Sequence, residues 1–131
     1  MEKLEVIVAG SRDFTDFKKL ETELNKIVGM EWYESKSKAI ELISGGCRGT
    51  DLLGEKWAEN LGFPIKRFPA DWNLYGKAAG PIRNHEMAIY AASQPDSIGI
   101  LVAFWNGKSR GTKNMIDEAK KVGLKVVIVN V

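Results

Sequence analysis

The residues best suited to chemistry in this sequence form a glycine-rich stretch at 44–51, which reads Ser-Gly-Gly-Cys-Arg-Gly-Thr-Asp. A short strand pattern precedes it and apolar residues at helical spacing follow it, which indicates a strand-to-helix turn. Glycine permits backbone angles closed to other residues, and such a turn can direct several N–H groups at one anion. The helix N-terminus adds partial positive charge. The stretch predicts a phosphate-binding turn; the alternative is a tight structural turn whose Thr50 or Asp51 caps the helix.

The glycine spacing differs from that of better-known phosphate-binding loops. Gly45, Gly46 and Gly49 do not reproduce the G-x-G-x-x-G dinucleotide fingerprint, and no Gly-Lys-Ser/Thr follows as in a P-loop. Cys47 is the only cysteine, so no internal disulfide can form, and no neighbouring histidine favours a catalytic thiol. The stretch alone therefore leaves phosphate binding and a structural turn both open.

Alternating strand and helix patterns must position this turn. Strand patterns at 4–9, 39–43, 63–68, 98–104 and 125–131 alternate with four helical patterns. The run at 98–104 is apolar throughout, which is typical of a strand buried on both faces. The order predicts an α/β fold: one Rossmann-like domain over 1–131, with a doubly wound, parallel five-stranded sheet of order 3-2-1-4-5 and helices on both faces.

The helix boundaries are predicted from capping and stop residues. Thr15 or Asp16 is expected to cap the first helix, and Gly62 to end the second. Pro81 suits the first position of the third helix, which places Arg83 and Asn84 in its first turn. That turn is expected to face back toward a long functional loop at 69–80.

Two further boundaries concern the ends of the first and fourth helices. Thr112 is expected to cap the fourth helix. Residues 29–38 are interpreted as a helix tail and loop. Their aromatic Trp32 and Tyr33 are candidates for a subunit contact, so a homodimer is among the expected assemblies.

Composition limits the class of protein. The chain has 131 residues, of which 44% are hydrophobic and 27% charged, as in soluble single domains. A net charge of +2 is too small to indicate a nucleic-acid-binding protein by itself. No apolar run approaches the ~18 residues of a membrane span. The sequence begins directly with a strand pattern and has one cysteine, so a cytoplasmic protein without signal peptide or membrane contact is expected.

In a sheet of this order the loops that follow the strands meet at the carboxyl edge, where ligands bind. Glycines, guanidinium groups, hydroxyls and two carboxylates collect in those loops, and Trp72, Tyr75 and Trp105 can stack on a base. This combination predicts a nucleotide or nucleotide-derived ligand. The ligand-binding candidates are Gly10, Ser11, Arg12, Ser44, Gly45, Gly46, Arg48, Gly49, Asp51, Asp71, Trp72, Arg83, Asn84, Ser109, Arg110, Gly111 and Thr112.

The sequence indicates no required cofactor. No Cys/His/Asp cluster has metal-ligand spacing, so no metal site is predicted, although Mg²⁺ can accompany a phosphate ligand. His85, the only histidine, falls on the outer side of the third helix by spacing, which favours a solvated surface position.

Five motifs in chain order resemble the YspA/YpsA-related branch of the SLOG superfamily. They are Gly-Ser-Arg at 10–12, Ser-Gly-Gly-x-Arg-Gly-x-Asp at 44–51, Pro-Ala-Asp-Trp at 69–72, Gly-Pro-x-Arg-Asn-x-x-Met at 80–87 and Ser-Arg-Gly-Thr at 109–112. The resemblance covers nearly the whole chain. It implies a Rossmann-like domain that binds nucleotides or nucleotide-derived ligands, with no established reaction; a sensor or carrier role is expected.

Two related families imply competing functions. The DNA-processing protein A family has similar turns at the first two motifs and binds single-stranded DNA. The LOG family of phosphoribohydrolases releases a base from a nucleoside monophosphate and is similar around Arg83, Met87 and the Gly-Thr at 111–112. Asn114 stands where a LOG enzyme has its catalytic glutamate and cannot exchange a proton, which costs ~10²–10⁴-fold in rate. If this chain is an enzyme, an N-glycosidic or phosphate-ester hydrolase is expected, and Asp51 and Asp71 are the remaining acid–base candidates.

Overall fold

A computed structural model describes residues 3–131 of the chain. Strands and helices alternate along this range, with one extra short helix and a 3₁₀ turn (Gly76–Ala78) before the third long helix. The strands are β1 (Lys3–Gly10), β2 (Ala39–Ser44), β3 (Ile65–Arg67), β4 (Ser97–Trp105) and β5 (Lys125–Asn130); the helices are α1 (Phe17–Ser35), α2 (Thr50–Leu61), α3 (Trp72–Tyr75), α4 (Ala79–Ser93) and α5 (Arg110–Lys121).

The five strands form one sheet of order β3-β2-β1-β4-β5, and every adjacent pair is parallel. β1 is the central strand, with Leu4 opposite Ile40 of β2 and Ile98 of β4. The predicted Rossmann-like α/β architecture and strand order are therefore confirmed. All the loops that follow strands reach one edge of this sheet, as parallel pairing requires.

Two apolar layers hold the helices to opposite faces of the sheet. Alternate residues of β1 separate to the two sides: Val6 joins the core under α1 and α2, and Ile7 joins the core under α4 and α5. The centre of β4 is buried on both faces, because the side chains of residues 100–104 are all inaccessible to solvent. This burial explains why 98–104 is apolar without alternation.

The first and third long helices differ from the sequence predictions. α1 continues through the segment interpreted as tail and loop and ends at Ser35, with Trp32 and Tyr33 exposed in its last turns. The loop predicted at 69–80 contains α3 and a 3₁₀ turn, and α4 begins at Ala79. Pro81 is thus its third residue. This position suits proline equally well, since the first four N–H groups of a helix have no intrahelical acceptor.

Capping agrees with the sequence at two helix ends and differs at two others. Asp16 caps α1 by accepting from the amide of Lys19 at 3.1 Å, and Gly62 ends α2 in the left-handed conformation. Neither Thr50 nor Asp51 caps α2, because Gly49 occupies that position. Ser109, not Thr112, caps α5, and a capping serine three residues before its bonded amide is the usual geometry.

A buried carboxylate lies at the opposite edge of the sheet from the functional loops. The Glu5 side chain is fully buried, and neither oxygen accepts a hydrogen bond from any residue in the described range. Lys3 Nζ lies 3.5 Å from Glu5 Oε1. Glu41 of β2 lies opposite Glu5 in the sheet register. Burial first, and then the Glu41 carboxylate, raises the pKa of Glu5 to about 7.

Within residues 3–131 no helix combines the length and the apolar character that crossing a bilayer requires.

Candidate functional site

A cleft lies where the carboxyl ends of β1 and β4 separate. A cavity of about 640 Å³ opens there, lined by the loops after β1, β2 and β4 and by the first turns of α4 and α5. α2 packs on one face of the sheet, and α4 and α5 pack on the other. The strand order therefore reverses direction between β1 and β4, which makes this cleft the topological switch point of the sheet. Such switch points are the usual ligand sites of open α/β sheets.

A second cavity of about 470 Å³ adjoins the first on the β2–β3 side. Arg12 and Trp72 line both cavities, and the Arg12 guanidinium lies 5.8 Å from the centre of the Trp72 ring. The stacked pair therefore stands where the two cavities meet. We call the cavities the larger and the smaller compartment.

The glycine-rich turn uses two of its amides internally. The amide of Gly46 donates to Ser44 Oγ at 3.1 Å, and Ser44 Oγ donates in turn to the buried Glu55 at 2.7 Å. The amide of Cys47 donates to Asp51 Oδ2 at 3.2 Å. These bonds rigidify the turn, and they leave the amides of Gly46 and Cys47 already engaged within the protein.

The turns after β1 and β2 are locked together. Both the amide and the hydroxyl of Thr50 donate to the carbonyl of Ser11, at 3.2 and 2.9 Å. Gly49 has φ +78°, and a Cβ at this position would lie 2.7 Å from Arg12 Cα. A side chain at 49 would therefore separate the two turns, which explains the glycine without a ligand.

Arg83 is the central cation of the site. It is 8% exposed and projects from the second turn of α4 into the glycine-rich turn, where Nη1 donates to the Gly45 carbonyl at 2.8 Å. Nε donates to Asn84 at 3.0 Å, and Nη2 lies 3.6 Å from the sulfur of Cys47. Because α4 begins two residues earlier than predicted, Arg83 and Asn84 lie in its second turn and not in its first. Arg83 lines the smaller compartment with Pro69, Ala70 and Trp72, so it faces the 69–80 segment as predicted.

Asp51 lies beside Arg83 at the bottom of the cleft. Both approach the same side of Gly45: a Cβ there would be 2.7 Å from Arg83 Nη1 and 2.9 Å from Asp51 Oδ2. Burial raises the pKa of Asp51 to about 6, against the opposing effects of the Cys47 amide and the Arg83 charge. The cleft thus contains a buried carboxyl group with a raised pKa.

Asn84 joins α4 to the start of α5. Its Nδ2 donates to Asn114 Oδ1 at 2.9 Å and to the Gly111 carbonyl at 3.4 Å. Asn114, at the position of the LOG glutamate, is therefore a structural partner of Asn84 and lines the larger compartment. The Ser109 hydroxyl accepts from the Thr112 amide and hydroxyl, which fixes the first turn of α5.

The structure brings most of the sequence-predicted residues to these two compartments. Gly10, Ser11, Arg12, Gly45, Gly46, Arg48, Asp51, Trp72, Arg83, Asn84, Ser109, Arg110, Gly111 and Thr112 line one or both.

Three predicted residues line neither compartment and have structural contacts instead. Ser44 bonds Glu55, and Gly49 packs on the Arg12 backbone. Asp71 is exposed and caps α3 by accepting from the Leu74 amide at 3.0 Å. Asp71 is thus engaged in a helix cap, outside the set of residues that line the cleft.

Of the three aromatic stacking candidates, the structure brings Trp72 to the compartments. Trp105 turns its indole N–H to the carbonyl of Ser109 at 3.1 Å and packs on the core beneath α5. Tyr75 is exposed and lines neither compartment. Sequence spacing cannot separate these cases, because all three residues lie in carboxyl-edge segments.

Several lining residues were missed by sequence reasoning. Asn106 and Lys108 line the larger compartment, and Arg67 lines the smaller one. The first two share a loop with the predicted Ser109 and Arg110, so their position was the available signal. Arg67 gave no such signal, since it ends a strand and pairs with Glu55 at 2.9 Å.

His85 has the exposed position predicted from its spacing. Its side chain is 60% exposed and Nδ1 lies 2.9 Å from Glu118 Oε2. Within residues 3–131 no group of three or more His, Cys, Asp or Glu side chains has the arrangement of a metal site.

Comparisons with known proteins agree with this architecture. The family described as "YAcAr: YspA, cpYpsA-related SLOG family" matches residues 4–75, which include the turns after β1 and β2. The chain is also 32% identical over 127 residues to the "Gene 61 protein" of Mycobacterium phage D29, an alignment that covers 93% of each chain. No solved structure matches at a significant level. The chain belongs to the YspA, cpYpsA-related SLOG family.

Proposed function

We propose that this protein binds a nucleotide or nucleotide-derived small molecule in the larger compartment, as a sensor or carrier. The observation that carries the proposal is the position of this cavity at the β1–β4 switch point, among the loops that follow three strands. Its volume of about 640 Å³ lies within the range of small-molecule sites. Membership in a SLOG family supports a nucleotide-related ligand.

The lining chemistry supports a ligand with both charged and apolar parts. Arg12, Lys108 and Arg110 supply cations for a phosphate at the rim. Met87 and Met115 are almost fully buried and line the same cavity, so they offer polarizable apolar surface to a base. Mg²⁺ would bind only together with the phosphate of the ligand.

Calorimetric titration with nucleoside mono-, di- and triphosphates and cyclic nucleotides, with and without Mg²⁺, tests this proposal. Arg110→Met should weaken every bound nucleotide by about ten-fold, because one charge-assisted contact is lost. Lys120→Met removes the same charge from the last turn of α5, away from the cavity, and should leave affinity unchanged. Absence of saturable binding across the panel, or equal losses in the two variants, would reject the site.

A LOG-like hydrolase is the second candidate, favoured by one observation. Asp51 is a buried carboxyl that lines the larger compartment with its pKa raised to about 6, as a general acid near neutral pH requires. Chromatography of the incubated nucleotides should then show released base, and Asp51→Asn should abolish release while retaining binding. Intact nucleotides after prolonged incubation would exclude this activity for the panel.

A further inference from the structure

We propose that the smaller compartment is a subsite for a second phosphoryl group, so that the preferred ligand is a nucleoside di- or triphosphate or another nucleotide with a phosphoanhydride. This inference rests on the proposed nucleotide site in the larger compartment. It concerns the ligand class, which neither family membership nor the phage relative specifies.

The first support is the charge of the compartment wall. Four guanidinium groups line the smaller compartment, those of Arg12, Arg48, Arg67 and Arg83. None of the described residues that line it is acidic. Guanidinium forks match the geometry of phosphate oxygens, and each makes charge-assisted hydrogen bonds.

The second support is the unequal compensation of these cations. Arg67 pairs with Glu55 at 2.9 Å, and Arg48 lies 3.8 Å from the exposed carboxylate of Asp13. Neither Arg12 nor Arg83 forms an ion pair within 4.0 Å among residues 3–131, although both charges act on the carboxyl group of Asp51. Arg83 satisfies its donors on neutral acceptors instead, the Gly45 carbonyl and the Asn84 amide. Arg83 is buried and has Asp51 beside it without a direct ion pair, so its charge is only partly compensated, and an external anion would complete the compensation.

The third support is the continuity of the two compartments. Five residues line both cavities: Arg12, Cys47, Arg48, Trp72 and Arg83. A ligand whose first phosphate meets Arg12 in the larger compartment thus has a second arginine-lined space directly beside it. A mononucleotide would leave that space to solvent, whereas a phosphoanhydride extends the same chain of charge into it.

The test compares AMP, ADP and ATP, and GMP, GDP and GTP, by calorimetry at constant ionic strength on the wild-type chain. We expect the di- and triphosphates to bind at least about ten-fold more tightly than the monophosphates. This comparison does not depend on any variant. Equal affinities of mono- and diphosphates would overturn the inference and leave the proposed function standing. Failure of every nucleotide to bind would overturn both.

Arg67→Met assigns the gain to the smaller compartment, because Arg67 lines that compartment alone. It should remove most of the diphosphate advantage. Arg67→Lys keeps a charge beside Glu55 and should retain part of it. Lys66→Met is the matched control: it removes a cation from the neighbouring position, where the side chain lies over the rings of Phe68 and Tyr90. An equal effect of the Lys66 and Arg67 variants would show a general field effect and overturn the assignment.

A short thymidine oligonucleotide provides the last arm of the experiment. Arginines flanking an exposed tryptophan also suit a single-stranded nucleic acid, whose affinity falls steeply with salt. We expect the oligonucleotide to bind more weakly than ADP at 0.15 M salt. Tighter binding of the oligonucleotide, lost in Arg67→Met, would replace the phosphoanhydride ligand by a nucleic-acid backbone.

Discussion

At the scale of single residues, the glycines of the cleft have different causes. Gly10 and Gly49 are required by neighbouring protein atoms: a Cβ at 10 would lie 2.7 Å from Thr50 Oγ1, and one at 49 would meet the Arg12 backbone. Gly45 leaves room for Arg83 and Asp51. Gly46 has φ +73° with no atom near its missing side chain, so its cause is backbone conformation. A glycine-rich motif therefore combines packing and conformational requirements.

Replacing these glycines separately tests this distinction. Gly45→Ala should displace the Arg83 guanidinium and weaken nucleotide binding by about ten-fold or more, because Nη1 occupies the space of the new methyl group. Gly46→Ala adds only backbone strain at positive φ, and it should lower the free energy of unfolding by roughly 1 kcal/mol. Calorimetry measures the first effect and urea unfolding the second. Loss of affinity in Gly46→Ala alone would instead indicate that the turn backbone contacts the ligand.

At the scale of elements, the start of α5 shows how a cap positions a site. The Ser109 hydroxyl accepts from the Thr112 amide at 3.3 Å and from the Thr112 hydroxyl at 3.0 Å. The same turn carries Arg110 and Gly111 to the larger compartment. The cap therefore stabilises the helix and orients lining residues at once.

Ser109→Ala should lower the free energy of unfolding by about 1 kcal/mol, because the capped amide loses its acceptor. Ser109→Thr keeps the hydroxyl and should restore most of this loss. Equilibrium unfolding in urea measures both variants. Equal stability of the alanine and threonine variants would show that the hydroxyl does not cap the helix.

At the scale of the whole molecule, the two edges of the sheet differ in charge. The carboxyl edge collects the arginines of both compartments. The amino edge holds Glu5 and Glu41 with Lys3, which lies 3.5 and 3.6 Å from their carboxylates. Because Glu5 is fully buried, its protonation affects the stability of the entire fold.

The raised pKa of Glu5 determines the direction of a pH effect. A folded pKa of about 7, above the unfolded value of 4.5, means that the native protein holds this proton through the interval between them. The stabilising contribution of protonated Glu5 to the fold is complete below the unfolded pKa, and it is lost as the pH rises through the folded pKa of about 7. Glu5→Gln should therefore be more stable than the wild type at pH 8.5 by about 2 kcal/mol, with a smaller difference at pH 5.

Glu118→Gln is a control of opposite sign. The hydrogen bond with His85 lowers the pKa of Glu118 most strongly. Burial opposes this effect, and the hydrogen bond from Lys121 adds to it. This contribution is present above the unfolded pKa and is lost as the pH falls through the folded value, so the variant should lose stability near neutral pH. Urea unfolding across the pH range separates the two variants. A Glu5→Gln difference that does not grow with pH would contradict the conclusion that burial raises the pKa of Glu5.

The sequence by itself determined the order of elements and the edge at which the candidate ligand-binding groups collect. Periodicity of 2 and 3.6, glycine turns and the uniformly apolar run at 98–104 depend on neighbours close in the chain, so the five-stranded order was predictable. The same logic brought the residues of 10–12, 44–51 and 109–112 to one edge. Capping by Gly49 and Ser109 was mispredicted, because several polar residues at each helix start could serve as the cap.

Only the tertiary structure decided which of these residues face a common cavity. Arg67 joins the smaller compartment through the pairing of β3 with β2, and Asp71 turns to cap α3. The contacts of Arg83 with Gly45 and of Asn84 with Asn114 join segments far apart in sequence. Such contacts depend on packing of the two helical layers across the sheet. Local sequence signals contain no information about these distances, so the division into two compartments emerged from the fold alone.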